Sequence, residues 1–306
     1  MSLLLIMNPG SRAGRGQRRW AGWEAMLRRA GVAYRCVYTE HAGHAVALAR
    51  QASGVETVVA VGGDGTINGV LDGLMQAQRP DVKMGVLYAG TSPDFCRFHG
   101  IPSDPERAMT ALLAGAMRRV DVARISYRDA EGRECVAHFG CSCNIGLGAT
   151  TARLANRWRR YLGDVPGTAA ALLRALWADQ RVDLELVVDG EPLPLPQVNN
   201  LSVIKNPYLA SGLRLQVDIA PNDGALYLVA ISGRSRLGMC RAIPACYSGA
   251  VVQAPGVLVR PCRAVQVRAR QAQEIEFDGD PRGVLPVTIE VLPQALVLLG
   301  GADERV

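Results

Sequence analysis

The run Val58-Val59-Ala60-Val61-Gly62-Gly63-Asp64-Gly65-Thr66-Ile67-Asn68 sets three glycines, a carboxylate, a hydroxyl and an amide directly after an apolar stretch. Those residue types at that spacing suit phosphate chemistry. Glycines at 62, 63 and 65 let backbone N–H groups close on an anion, and a helix opening behind them adds unpaired donors and a favourable dipole. Asp64 alone would repel a phosphate, so its chemical use is to hold a divalent cation that bridges phosphate oxygens. The plain alternative is an ordinary strand-to-helix turn with the aspartate as its N-cap, for which two glycines suffice. The loop has neither the G-x-x-x-x-G-K-[ST] nor the G-x-G-x-x-G spacing, so those two nucleotide folds are not supported.

Three further motifs stand in order around this loop: Asn8-Pro9 after the first apolar run, Gly90-Thr91-Ser92-Pro93-Asp94-Phe95, and the late Phe277-Asp278-Gly279-Asp280. Together with GGDGT they resemble the diacylglycerol kinase catalytic family, which also contains sphingosine kinases and bacterial lipid kinases. GGDGT by itself is shared with NAD kinases. The resemblance extends through Val120-Asp121, Asn206-Pro207-Tyr208 and Ala220 to Leu226, over essentially the whole chain.

The resemblance implies a lipid kinase, a phosphotransferase that uses ATP and Mg2+ to phosphorylate the hydroxyl of a diacylglycerol-like or sphingoid lipid. Its site would lie in a cleft between two domains. By position, Asn8, Thr39, Gly62, Gly63, Asp64, Gly65, Thr66, Asn68 and Thr91 would contact the nucleotide, and Asp64, Asp94 and Asp121 would organise the metal. Asp64 and Asp280 would be catalytic, with Asp280 as the base. Asp223 matches a position where bacterial relatives hold a structural metal. Each has a blander role available: Thr39 ending a strand, Asp94 or Asp121 capping a turn, Asp223 sitting in an ordinary Asn-Asp-Gly turn.

Two departures from the family pattern stand out. Pro93 replaces an amide residue and cannot donate from its backbone. Asp280 replaces a glutamate in the Asp-Gly-Glu triplet, which keeps the carboxylate on a shorter arm. A second triplet, Asp189-Gly190-Glu191, spells the family pattern outright, but its surroundings read as a hairpin tip. Two other functions stay open at this level: a soluble-substrate kinase of the NAD kinase type, and a nucleotide-binding regulator with weakened catalysis.

These residues need elements to position them. Strand and helix patterns alternate through the first third: strands at 3–7, 32–38, 57–61 and 84–88, helices at 17–29, 43–51, 67–76 and 105–114. That alternation predicts an α/β domain over 1–121 with a parallel sheet. From 122 to 286 the pattern is β-rich with turn signals, predicting a mainly-β, antiparallel, sandwich-like domain for the lipid. A helical insertion at 149–180 interrupts it. Residues 287–306 either finish the β domain or return to the first sheet.

Composition bounds the rest. With 49% hydrophobic and 20% charged residues the 306-residue chain is globular. Net charge is +6, and Lys83 and Lys205 are its only lysines. That mild excess suits nucleotide phosphates or an anionic membrane, whereas an aromatic content of 5% without basic-aromatic alternation argues against nucleic acid. Arg153, Arg157, Arg159 and Arg160 around Trp158 and Tyr161 suit anionic headgroups, or equally a solvated helix face. Eight cysteines without a C-x-x-C pair read as reduced thiols. No leader and no spanning segment is read, so the chain is placed in the cytoplasm, peripheral to the inner face of the membrane, with nucleotide, lipid and a second copy of itself as candidate partners.

Overall fold

The computed structural model describes residues 2–11, 14–178, 181–209 and 213–301. The chain divides into two compact units: Met1–Val122 with Pro221–Asp223 and Leu292–Val306, and Ala123–Ala220 with Gly224–Val291.

In the first unit, β1 (Ser2–Met7), α1 (Arg15–Arg29), β2 (Ala33–Tyr38), α2 (His44–Arg50), β3 (Thr57–Gly62), α3 (Asp64–Gln76), β4 (Lys83–Tyr88), α4 (Asp94–Phe98) and α5 (Pro105–Ala114) follow one another. The strands lie parallel in the order β2-β1-β3-β4, with Leu5 beside both Cys36 and Val59, and Val59 beside Gly85. Every residue of β3 is buried, as a strand covered on both faces must be. β2 has no fully buried residue, and it forms the edge. α5 has complete punctuation: the Asp104 carboxylate accepts the Arg107 N–H at 2.9 Å, Pro105 opens the first turn, and Gly115 closes it in the left-handed region. Trp23, Leu27, Met109 and Leu112 from α1 and α5 pack on Leu3, Leu5, Val59 and Leu87.

Two long strands, β5 (Met117–Arg128) and β16 (Asp280–Leu299), give residues to both units. Between them run β6 (Glu134–Phe139), β7 (Ser142–Gly146), α6 (Leu147–Leu162), α7 (Asp164–Ala178), β8 (Val182–Val188), β9 (Glu191–Ile204), β10 (Tyr208–Leu209), β11 (Leu213–Arg214), β12 (Leu226–Ser232), α8 (Arg236–Tyr247), β13 (Val257–Cys262), β14 (Ala264–Ala269) and β15 (Glu274–Phe277). The ladders of the second unit are antiparallel. They form a closed circuit, β9-β7-β15-β16-β14-β8 and back to β9, which leaves those strands no free edge. Phe139, Phe277, Leu186, Leu201, Val267 and Ile289 fill its core.

The terminal run does both things the sequence allows. Val287 to Glu290 pair with Val267 to Ala264 in the second unit, and Leu298 then lies beside Met84 in the parallel sheet. The return to the first unit therefore begins at Leu292 and not at 287. Pro221–Asp223 also belong to the first unit, because the Pro221 carbonyl accepts the Asp121 N–H at 2.8 Å. Three features go beyond the sequence pattern. The run 133–143 is two strands, parted at Gly140-Cys141, where the backbone N–H groups turn toward the Asp278 carboxylate. The insertion is a pair of helices broken at Gly163, whose φ of 80° ends α6. α8 escapes the pattern because its apolar residues, with Pro244 among them, have no clear helical period.

Candidate active site

The glycine loop sits where its sequence context demands. β3 ends at Gly62, Gly63 is the extended residue capping α3, and Asp64 is the first helical residue. The carbonyl of Gly63 accepts the Thr66 and Ile67 N–H groups at 2.9 and 3.0 Å, so the helix begins without delay. Thr66 and Asn68 are buried within its first turns. Asn8 follows β1, its side-chain oxygen accepting the Gly10 N–H at 3.0 Å, and Thr39 follows β2, donating its N–H to Met7 at 2.9 Å. Thr91 follows β4 by three residues. Asn8, Thr39, the Gly62–Asp64 loop and Thr91 thus stand at the carboxyl ends of four adjacent parallel strands, the edge at which open α/β sheets take their ligands.

Gly63 and Gly90 face each other across the loop. A Cβ on Gly63 would come within 3.1 Å of the Gly90 Cα, and one on Gly90 within 2.5 Å of the Gly63 Cα. Bare backbone from two strand ends therefore lines one concavity, with the Ser11 hydroxyl beside it. A triphosphate chain fits that chemistry, because backbone N–H groups can approach oxygens that side chains would block. Motif reading assigns no role to Gly90 or Ser11; their signal is their place in the turns after β4 and β1.

The candidate metal ligands divide. Asp64 opens α3 and Asp94 opens α4, and the charge of Asp64 helps burial push the Cys96 thiol upward, so the start of α4 lies within electrostatic reach of the glycine loop. Asp94 accepts from the Ser92 hydroxyl at 2.8 Å and lies 3.8 Å from the Arg97 guanidinium. Asp121, buried on β5, accepts the Gln294 N–H at 2.8 Å and so helps tie the returning strand. Among the described residues no three His, Cys, Asp or Glu side chains converge. A magnesium ion here would lean on phosphate oxygens as much as on Asp64 and Asp94.

A cation already stands beside the Asp223 turn. Lys205, fully buried at the end of β9, donates from Nζ to the carbonyls of Ala220 and Ala225 at 2.9 and 3.1 Å. A resident ammonium thus serves carbonyls on either side of that segment. In the sequence Lys205 reads only as net charge.

In the second unit, Asp278 and Gly279 have φ of 49° and 90° and form the two-residue turn between β15 and β16, the geometry that an Asp-Gly pair favours. Asp280 is the first residue after it. Its side chain is half exposed and lies 3.5 Å from the Arg282 guanidinium, which rests over the Phe277 ring at 4.8 Å. The Asp278 carboxylate accepts the N–H groups of Gly140, Cys141 and Ser142 at 2.9–3.0 Å. Burial raises that carboxyl to about 6, held back by those three donors.

Beneath the turn lies Glu276, 3% exposed. It accepts the Gly279 N–H and, at 2.7 Å, the Asn144 amide. Burial pushes its carboxyl up to about 7 against those two donors. The alternation Glu274-Ile275-Glu276-Phe277 reads as a strand with its acids in solvent. β15 instead lies between β7 and β16 with α6 packed on it, so the second face is covered as well.

The decoy triplet folds into the same turn. Asp189 and Gly190 have φ of 51° and 88°, and the Asp189 carboxylate accepts the N–H groups of Arg263 and Ala264. Glu191 is exposed and pairs with Arg260 at 2.8 Å. Two residues before Asp189 stands Val187, where the other hairpin has Glu276.

Residues 2–125 match the model of the diacylglycerol kinase catalytic domain, and residues 141–300 match that of the YegS C-terminal NAD kinase beta sandwich-like domain. The chain is 29% identical over 305 residues, 96% of its length and 94% of the other's, to an Enterobacter sp. (strain 638) protein named "Probable lipid kinase YegS-like". It is 26% identical over 260 residues, 85% of its length and 81% of the other's, to a diacylglycerol kinase of Mycobacterium tuberculosis. Among solved structures, a diacylglycerol kinase from Bacillus anthracis shares the fold with a TM-score of 0.73 at 18% identity, over 100% of this chain and 98% of that one.

Proposed function

The chain belongs to the family that joins a diacylglycerol kinase catalytic domain to a YegS C-terminal NAD kinase beta sandwich-like domain, and on that premise we propose that it uses ATP to phosphorylate the hydroxyl of a diacylglycerol-like or sphingoid lipid. One observation carries most of this reading: the Gly63–Gly90 cradle at the carboxyl ends of four neighbouring parallel strands. Backbone N–H groups of the loop and of the α3 N-terminus hold the phosphates, and Asp64 and Asp94 are the residues that would hold the metal. Magnesium, when bound, supplies neutralisation of phosphate oxygens.

Asp280 accepts the proton of the acceptor alcohol as its oxygen bonds to the γ-phosphorus; the bond to the β–γ bridging oxygen breaks and ADP leaves. Half exposure gives Asp280 access to an acceptor, whereas Asp278 is occupied by three backbone donors.

A water-insoluble acceptor is favoured over a soluble one such as NAD by the surface of α6, α7 and α8. Five of the eight exposed large hydrophobic side chains among the described residues stand there: Tyr161, Leu162, Leu173, Trp177 and Leu237. Arg153, Arg157, Arg174 and Arg236 stand on the same helices, Arg236 over the Trp177 ring, and α6 carries no acidic residue. The side chains of Arg159 and Arg160 lie outside the described residues. Behind these helices is a cavity of about 510 Å³ lined by Leu147, Leu154, Trp158, Arg174, Arg236 and Met239, among others. Among the described residues no helix is long and apolar enough to cross a membrane. The reading is therefore of peripheral attachment to an anionic bilayer at its cytoplasmic face.

The test is label transfer from γ-labelled ATP to a total bacterial lipid extract, with NAD as a parallel acceptor. A labelled lipid is expected, and Asp64→Asn should nearly abolish it. Label in NAD alone, or ATP binding without any transfer, would overturn the reading.

A further inference from the structure

Glu276 is the feature that the chemistry above leaves unused. A chain of side chains leads to it in one direction only. The Gly148 N–H, at the start of α6, donates to the Asn200 side-chain oxygen at 2.7 Å, and a backbone N–H can only donate. The Asn200 amide nitrogen must therefore donate onward, to the Ser202 hydroxyl at 2.9 Å. Ser202 then donates to the Asn144 oxygen at 2.6 Å, which leaves the Asn144 NH2 facing Glu276 at 2.7 Å. The other Glu276 oxygen faces the Gly279 N–H. Both partners are donors, so a proton or an amide on Glu276 would set donor against donor.

We infer that Glu276, as a carboxylate, is the positioning residue that fixes the Asp278–Gly279 turn and thereby aims Asp280 at the acceptor hydroxyl, with Asn144 as its partner. The inference rests on the kinase reading. The twin hairpin supplies an internal control, because Val187 stands at the equivalent place and Glu191 at its tip merely pairs with Arg260. α6 reinforces the anchor from the other side: Asn156 donates to the Gly279 carbonyl at 3.1 Å, and Arg153 pairs with Glu274 at 2.7 Å. The titratable groups facing Glu276 are Asp278 and Asp280 on its own hairpin and Cys143 on β7, whose thiol Glu276 helps to raise.

Burial works against the anchor. The Glu276 carboxyl is raised from 4.5 to about 7, so the folded chain holds that proton more tightly than the unfolded one. The stability it contributes is complete below pH 4.5 and is lost as pH rises through about 7. Transfer follows the opposite course, gained as Glu276 ionises. The form that acts is the less stable one.

The experiment compares the wild-type protein, Glu276→Gln and Asn144→Ala. Label transfer and thermal midpoint are measured from pH 5 to 9, and hydrogen–deuterium exchange of the 278–282 segment at pH 8. Wild-type transfer should fall below pH 7. Glu276→Gln should transfer about 10–100-fold more slowly with the same KM for ATP, lose that acid limb, exchange faster in the turn, and show a thermal midpoint that no longer declines between pH 5 and 7. Asn144→Ala removes a donor and should move the limb to higher pH. A Glu276→Gln protein with wild-type rate and pH profile, or with unchanged exchange, overturns the anchor. A wild-type protein that labels no lipid overturns the kinase reading instead, and the exchange and melting data still decide the anchor.

Discussion

At the scale of residues, the two Asp-Gly turns put the assignment of the base to a direct trial. Asp280→Asn should lower transfer by about 10²–10⁴-fold with little change in ATP affinity, because only proton acceptance is removed. Glu191→Gln should leave the rate unchanged, since Glu191 is an exposed partner of Arg260. Asp280→Glu restores the longer arm and should keep or raise activity, as its side chain points into partly open space. A dead Glu191→Gln enzyme beside an active Asp280→Asn enzyme would reverse the assignment. The turn of the glycine loop and the place of its aspartate were legible in the sequence because local residue types alone determine a strand-to-helix turn. Glu276, Asn144 and Lys205 were not, because their meaning lies in partners as far as 132 residues away along the chain.

At the scale of elements, the pair α6 and α7 with the start of α8 carries the membrane prediction. Trp177 is 73% exposed, with the Arg236 guanidinium 5.9 Å from its ring centre. Trp177→Ala should weaken co-sedimentation with phosphatidylglycerol vesicles several-fold, and raised salt should weaken the wild-type protein likewise. Binding indifferent to both would remove this face from the membrane. Periodicity located the insertion within a few residues but read it as one helix, since the break depends on a single glycine. It missed α8 for want of a clear period, and at β15 the alternation gives no sign that α6 covers the face on which an acid sits. The alternating units of the first domain were the easiest to read: a β3 apolar from Val58 to Val61 has one structural use.

At the scale of the whole molecule, the course of the chain matters more than any single contact. The first 122 residues do not complete their own sheet; the run from Leu292 does, through Leu298 beside Met84, Leu299 in the core and the Gln294 N–H on Asp121. A chain ending at Val291 loses the buried side chains of Leu296, Leu298 and Leu299. At about 2–5 kcal/mol for each core leucine, that loss is comparable to the whole stability of a domain, about 5–15 kcal/mol. The truncated protein should fail to bind ATP and should collect in the insoluble fraction; a monodisperse, ATP-binding product would refute this. The same route has a consequence during synthesis. β4 leaves the ribosome roughly 210 residues ahead of its neighbour, which at about 5–20 residues per second leaves that apolar edge open for roughly 10–40 s. For that interval the nascent first unit offers strand-pairing groups to any other chain nearby, so slow codons in the second half of the message would lengthen the period in which misassembly competes with folding.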